Sequence, residues 1–400
     1  MTTPAERYAA AKERGRHPLT TKFIEQFDFG FDEFQIKACQ AVEDGKGVLV
    51  AAPTGAGKTV VGEFAAFSAL AQGKKCFYTT PIKALSNQKF QEFVERFGEE
   101  RVGLLTGDTN INSEAEVLVM TTEVLRNMLY ANSTTLSNLG SVVMDEVHYL
   151  ADKSRGAVWE EVLIHLMESV QVISLSATVS NAEEFGDWLG EVRGQTEVIV
   201  SEIRPIPLYQ HVLIGDRLVD LFREQGRINP EILGLEREAL RQVRTPRHRR
   251  ERFGEGDNRL SRPEIIEKLQ RENLLPAITF IFSRAGCDAA VKQCLAAGVK
   301  LTTTEERLEI AQTAARYTQN LAEEDLEVLG YRDWLIALER GIAAHHAGLL
   351  PSFKGAVEEL FKRGLVKAVF ATETLALGIN MPARTVVLEK LTKWNGEGHR

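Results

Sequence analysis

From about residue 46 the chain repeats one pattern: a short uninterrupted apolar run, a turn of small residues, then an amphipathic stretch. The runs lie in "GVLVAAPTGAGKT", "KKCFYTTP", "RVGLLTGD", "EVLVMTTE", "SVVMDEVH", "VQVISLSAT" and "TEVIVSE". Brief β-branched runs between helical patterns predict strands covered on both faces, hence a parallel sheet. Such a sheet with helices on either side is a doubly wound α/β domain. Ligands in that architecture bind beyond the carboxyl ends of the strands, where the polar turns quoted above all fall.

After "RPIPLYQ" the texture changes, and residues from about Asp216 to Asn273 are charged and weakly periodic. Six arginines fall between Arg241 and Arg252, a run that reads as a solvated segment or, less readily, as a nucleic-acid contact. A second α/β pattern opens at "AITFIFSRAGCDAAVKQCLAAG" and continues through "VKAVFATETLALGINMPARTVVLEK". The expected organisation is a lead over 1–25, a first α/β domain over 26–207, a linker with the arginine-rich insertion over 208–275 and a second α/β domain over 276–400.

Composition agrees with two cores: 400 residues, 44% hydrophobic and 26% charged. No apolar run approaches the ~20 residues that span a membrane, so no membrane partner is expected and a soluble, cytoplasmic chain is. Cys39, Cys76, Cys287 and Cys294 lie in apolar patterns without a C-x-x-C pair, which reads as reduced core thiols and not a zinc site. A formal charge of −8 leaves any polyanion to local basic grooves and backbone amides.

"AAPTGAGKTVVGEFAAF" follows an apolar strand and opens a helix, the setting of a phosphate-binding loop. Thr54, Gly55, Ala56, Gly57, Lys58 and Thr59 are the expected nucleotide contacts. Glycine frees the backbone to wrap phosphates, the helix N-terminus offers N–H groups, Lys58 reaches the β and γ phosphates, and Thr59 supplies a hydroxyl to magnesium. Ala52 stands where glycine is usual, and it is small enough to serve. Downstream, "SVVMDEVHYL" puts two carboxylates at the end of a buried strand. Asp145 is the expected Mg2+ partner, and Glu146 the general base for the attacking water, with Lys58 completing the catalytic set. Read instead as an acidic helix cap, the pair would leave the loop without a metal partner.

"APTGAGKT", "DEVH" and "SAT" in that order resemble motifs one to three of superfamily-two helicases of the DExH-box type. "DEVHYLADKSRGAVWEEV", "LSATVSNAEEFGDWLG", "RPIPLYQH", "HHAGLLP" and "FATETLALGINMPARTVV" are similar to the superkiller-like, exosome-associated group, most of all to its actinobacterial members. The resemblance runs from about Phe27 to Asn395. It implies two RecA-like domains closing on ATP and Mg2+, with single-stranded nucleic acid lying across both.

In the first domain the resemblance makes Gln35 of "FDEFQIKACQ" the adenine-reading amide. Pro81, Lys83 and Gln88 of "TTPIKALSNQK", Gly107 of "LTGD", and Thr121, Thr122 and Arg126 of "TTEVLRN" become a phosphate track, which positions a strand without reading sequence. Singly, each also reads as an ordinary capping or turn residue. His148, Ser176 and Thr178 take the role of linking nucleotide state to strand grip, with a satisfied structural histidine as the plainer reading of His148. In the second domain Ser283, Arg284, Thr372, Glu373 and Thr374 lie near the strand, and Gly378 and Asn380 toward the nucleotide. Many helicases carry R-G-x-D at this last element; "LGIN" removes the charged contact.

The family's G-R-A-G-R motif, with its arginine finger, is expected shortly beyond "KWNGEGHR", so the second domain reads as incomplete at its C-terminus and the chain as a fragment or, less readily, as a degenerate product that lacks the motif. Fingers of this kind are worth ~10³ to 10⁵ in rate, so the piece alone is expected to bind nucleotide and turn it over poorly. Near the end, "AAHHAGLLP" sets His345 beside His346. Adjacent side chains diverge, and no Cys, Asp or third His stands close in sequence, so the pair does not read as a metal site. The resemblance makes it a turn that grips the strand, one ring facing the strand and one packed inward; a purely structural turn is the alternative.

The leading expectation is a monomeric ATP-dependent helicase moving 3′ to 5′ on RNA, with a nuclease or RNA-processing partner. The same motor on DNA, or an ATP-gated clamp that feeds a nuclease without unwinding, remain alternatives.

Overall fold

A computed structural model of the chain describes residues 15–151, 156–177, 182–223, 226–235, 260–376 and 381–390. Two compact units divide it, Met1–Leu208 and Tyr209–Arg400. The arginine-rich run, Thr178, Gly378 and Asn380 lie outside the described residues, as does the side chain of Thr374.

The first unit begins with α1 (Pro18–Ile24) and α2 (Glu33–Glu43). A capping box starts α2: Asp32 caps the N3 amide, and the Gln35 side chain accepts the Asp32 N–H at 2.8 Å. There follow β1 (Gly47–Ala51), α3 (Thr59–Ala71), β2 (Lys75–Thr80), α4 (Lys83–Phe97), β3 (Val102–Leu105), β4 (Asn110–Ile111), β5 (Val117–Thr121) and α5 (Thr122–Tyr130). The unit closes with β6 (Leu139–Met144), α6 (Gly156–His165), β7 (Gln171–Ser176), α7 (Ala182–Arg193) and β8 (Thr196–Val200).

The eight strands run in the order β4-β3-β5-β2-β6-β7-β1-β8, parallel throughout except for the β3–β4 pair. Each of the seven apolar runs read from the sequence is a strand of this sheet. Burial on both faces explains why the runs do not alternate with polar residues. Val48 and Val50 of β1 and Tyr78 of β2 pack with Phe23 and Phe64 on one face, whereas Leu49 and Phe77 pack with Leu118 and Trp159 on the other. Helix α3 lies close enough to β2 that a Cβ on Gly62 would stand 2.7 Å from the Tyr78 ring.

The parallel register carries the functional turns to one edge. Ala51 pairs with Ser176, and Thr80 with Thr121. The residues just past these strand ends are tied across: Ala52 N–H donates to Ser176 O at 3.2 Å, and Asp145 N–H to Thr79 O at 2.9 Å.

The second unit opens with a hairpin, β9 (His211–Ile214) and β10 (Arg217–Asp220), and then α8 (Arg262–Arg271). These elements occupy part of the stretch expected to be linker. Next come β11 (Ala277–Phe280), α9 (Arg284–Ala296), α10 (Thr304–Thr318), α11 (Glu323–Val328), α12 (Tyr331–Glu339), β12 (Ile342–His345), α13 (Pro351–Lys362), β13 (Ala368–Ala371) and β14 (Thr385–Leu388). The strands form a fully parallel sheet in the order β12-β13-β11-β14. Both units are therefore RecA-like α/β folds.

All four cysteines are buried and unbridged. Burial pushes the Cys76 thiol up to about 12 and those of Cys287 and Cys294 to about 11, so none is a ready thiolate. Among the described residues no helix is long and apolar enough to cross a membrane, and no His, Cys, Asp and Glu cluster of three could hold a metal ion.

Candidate functional site

The loop from Ala52 to Lys58 leaves β1 and enters α3 with Gly55 at φ +84° and Gly57 at φ +80°, a conformation that L side chains rarely adopt. A Cβ on Gly57 would also meet the Gln35 amide nitrogen at 2.6 Å. That contact is built in, since Gln35 Nε2 donates to Gly57 O at 3.1 Å and Ala56 O at 3.4 Å. With its oxygen bound to Asp32 N–H, the Gln35 amide is spent within the protein and buried, 5% exposed. The expected base-reading residue thus holds the phosphate loop to α2.

Lys58 Nζ bonds the Ala52 and Pro53 carbonyls at 2.7 and 3.1 Å. Burial holds its pKa below the ordinary lysine value, with Glu146 and Asp145 opposing the shift. Thr59 follows as the first residue of α3, and its hydroxyl accepts from Lys89 Nζ at 3.1 Å. Thr54 and Gly55 are exposed, while Ala56 packs inward.

Asp145 is 8% exposed. One of its oxygens accepts from Tyr78 Oη at 2.7 Å and the other from the Glu146 N–H at 2.9 Å. Two donors fix the carboxylate plane, and Tyr78, itself fully buried, satisfies its hydroxyl through this inward bond. Glu146 follows at φ +52°, a left-handed residue at the strand end that is strained without being glycine. Burial, then the neighbouring Asp145 charge, pushes its carboxyl up to about 7, against the pull of Lys58 and Lys89. His148 Nδ1 lies 3.2 Å from Glu146 Oε2 without hydrogen-bond alignment, and burial holds its pKa below the usual histidine value. The hydroxyl of Ser176, 1% exposed, has no hydrogen-bond partner among the described residues.

Hard oxygen donors from Thr59 and Asp145, beside a lysine and a glycine loop at a helix start, fit a magnesium–nucleotide complex. The orphaned Ser176 hydroxyl adds an unsatisfied buried group on the neighbouring strand end.

The expected strand track of the first unit separates into exposed and inward groups. Lys83 begins α4, is exposed, and pairs with Asp108 at 2.5 Å, joining the "KALSNQK" helix to the turn that holds exposed Gly107. Gln88 Nε2 donates to Glu92 at 2.7 Å. Pro81 and Thr121 are buried, and Thr122 donates its hydroxyl to Thr80 O at 3.2 Å. Those three shape the edge from inside. Arg126 lies 3.7 Å from Glu161.

In the second unit the strand ends also converge. Phe280 of β11 and His345 of β12 both pair with Ala371 of β13, and the Thr372 N–H donates to His345 O at 3.2 Å. Ser283 caps α9 by accepting the Gly286 N–H at 3.2 Å, and exposed Arg284 has no ion-pair partner among the described residues. Glu373 opens a 3-10 turn at Glu373–Ala376.

Both histidines point away from solvent, His345 3% and His346 5% exposed. His345 Nε2 meets Glu358 Oε1 at 2.9 Å. His346 Nδ1 accepts the Gly348 N–H at 3.2 Å, so its other nitrogen carries the proton that faces Asp288 at 3.0 Å. The sequence expectation had one ring facing the strand. In this geometry both rings are engaged inside the unit, and what the turn offers outward is Ala347 and Gly348, with Arg284 alongside.

Sequence reasoning passed over Tyr78, Lys89 and Glu92. Lys89 had a signal, as the last residue of the "TTPIKALSNQK" segment, but a lysine on a helix reads as solvated until the neighbouring helix is known.

Residues 32–185 match the DEAD/DEAH box helicase family. The chain is 58% identical to "Probable helicase HelY" of Mycobacterium leprae over 395 residues, 94% of this chain and 43% of that protein. It is 38% identical to human "Exosome RNA helicase MTR4" over 96% of this chain and 37% of the relative, and 41% identical to mouse "Superkiller complex protein 2" over 94% and 31%. The chain thus spans less than half the length of these relatives. With the family match enclosing the phosphate loop and the DEVH carboxylates, and helicase relatives matched across nearly all of its length, the chain carries a DEAD/DEAH box helicase domain.

Proposed function

We propose that the chain is the nucleotide-binding and strand-gripping part of an ATP-dependent 3′-to-5′ RNA helicase. The observation that carries the reading is the meeting of Lys58, Thr59, Asp145 and Glu146 at one edge of the first sheet, the carboxylate of Asp145 locked by two donors. Relatives that are named RNA helicases favour RNA over DNA, and the direction rests on the group resemblance.

In this reading the loop amides and Lys58 hold the β and γ phosphates, and Gln35 fixes the loop that carries them. Thr59 and Asp145 would hold magnesium, which supplies charge neutralisation at the phosphates. Glu146 orients the attacking water and takes its proton, a task suited to a carboxyl whose pKa lies near neutrality. Ser176 and His148 border this edge and report nucleotide state to the strand side. Lys83, Gln88, Gly107 and Arg126 are the strand contacts of the first unit and Ser283, Arg284 and Thr372 those of the second, with an RNA-processing nuclease as the partner.

Three measurements test it. On matched tailed duplexes a full-length protein carrying this chain is expected to displace RNA strands; a strict DNA requirement excludes the RNA assignment, and strand clamping without displacement favours the nuclease-feeding clamp. Strand affinity is expected to fall steeply with salt. Three cationic contacts from Lys83, Arg126 and Arg284 at ~0.7 each give a log–log slope of about −2, and a flat response removes the phosphate track. Tyr78→Phe keeps the packed ring and deletes only the donor to Asp145. The magnesium concentration for half-maximal nucleotide binding should rise about tenfold or more, the usual cost of losing a residue that orients a ligand. An unchanged magnesium titration separates Asp145 from the metal.

A further inference from the structure

The seam between α3 and α4 holds charges that a surface helix pair does not need. Lys89 is buried, 7% exposed, although it sits on the polar helix α4. Its ammonium donates to Glu92 Oε2 at 2.6 Å and to the Thr59 hydroxyl at 3.1 Å. The other Glu92 oxygen accepts from Gln88 Nε2 at 2.7 Å. One turn further along α3, Glu63 approaches Arg96 Nε at 4.0 Å, so the seam alternates in sign.

Helix stability does not explain why Lys89 turns inward. An i,i+3 pair with Glu92 forms as well in solvent, and an ammonium loses hydration when buried. Its inward position has one distinctive result: three hydrogen bonds run without a break from Gln88 through Glu92 and Lys89 to Thr59. Gln88 stands on α4, in the segment assigned to strand phosphates, and Thr59 is the hydroxyl assigned to the magnesium side of the nucleotide. A hydroxyl that accepts from an ammonium keeps its proton and one lone pair, and Lys89 sets the direction of both.

We propose that Gln88, Glu92, Lys89 and Thr59 form a relay that couples strand occupancy to nucleotide affinity within the first unit. The relay rests on the function proposed above. When Gln88 turns toward a strand phosphate it releases one oxygen of Glu92, the carboxylate shifts its grip on Lys89, and the ammonium resets the Thr59 hydroxyl. Lys89 and Glu92 are positioning residues in this scheme and touch neither ligand directly.

The test is a linkage measurement on the 400-residue chain. Binding of a fluorescent non-hydrolysable ATP analogue with magnesium is titrated with and without a single-stranded uridine oligonucleotide. In the wild type the strand should tighten nucleotide binding at least about fivefold, and nucleotide should tighten strand binding by the same factor. In Lys89→Met and in Glu92→Gln both factors should drop below about twofold. Glu92 is partly exposed, so Glu92→Gln tests the relay even if Lys89→Met disturbs the fold; its strand affinity without nucleotide should remain within about threefold of wild type. Coupling that persists in Glu92→Gln, or a wild type that binds both ligands independently, overturns the relay and leaves the proposed function standing. A wild type that binds neither ligand overturns both.

Discussion

Lys58→Ala is expected to abolish tight ATP binding, raising the dissociation constant about 30- to 4,000-fold. The lysine is pre-placed for this loss to be large. It is partly desolvated, its pKa already held below the ordinary value by burial, and its ammonium bonds two carbonyls, Ala52 O and Pro53 O. A phosphate oxygen offers it a full negative charge in place of two dipoles. Truncating one partner of such a buried charge pair costs about 2 to 5 kcal/mol, or about 30- to 4,000-fold in affinity. The same substitution removes a positive charge that lowers the Glu146 pKa, so Glu146 should become harder to ionise in the variant. Strand affinity in the absence of nucleotide should be unchanged, since Lys58 lies inside the loop. Isothermal titration with ATP and magnesium checks the first claim; wild-type affinity in the variant would remove Lys58 from the phosphate site.

Features governed by local spacing were legible in the sequence. The phosphate loop, the DEVH carboxylates and the buried strands of the first sheet each announce themselves within a dozen residues, because loop, helix start and strand are set by neighbours in the chain. Elements that depend on distant packing were not. The two-residue strand β4 is exposed and forms no apolar run. Strand β12, "IAAH", is rich in alanine, a poor strand former, and read as part of a turn; burial between α9, α12 and α13 makes it a strand. The histidine pair shows the same limit more sharply. Divergence of adjacent side chains followed from chain geometry, but the partners that draw both rings inward, Glu358 and Asp288, lie 13 and 58 residues away. Lys89 reads as a solvated helix lysine until α3 is seen packed beside it, and the Tyr78 hydroxyl finds its acceptor only because β2 and β6 are neighbours in the sheet.

Glu146→Gln should block hydrolysis and, in the nucleotide-free protein, raise stability at alkaline pH. The first effect follows from removing the base, with turnover falling about 10² to 10⁴-fold while ATP and strand binding remain. The second follows from linkage. The folded-state pKa of Glu146 is raised from 4.5 to about 7, so the fold opposes its ionisation. Below pH 4.5 the carboxyl is neutral in both states and costs nothing. As pH rises from 4.5 to 7 the unfolded state ionises first, and stability declines. Above pH 7 the penalty is complete, on the order of 3 kcal/mol for a carboxyl raised from 4.5 to about 7. Glutamine keeps the shape and the strained left-handed backbone, so the comparison isolates the charge. The urea midpoint of the variant should exceed that of the wild type at pH 8 and converge with it at pH 4.5. Equal midpoints at both pH values would mean that Glu146 ionises freely, and with that the physical basis for its acting as a base near neutral pH would be gone.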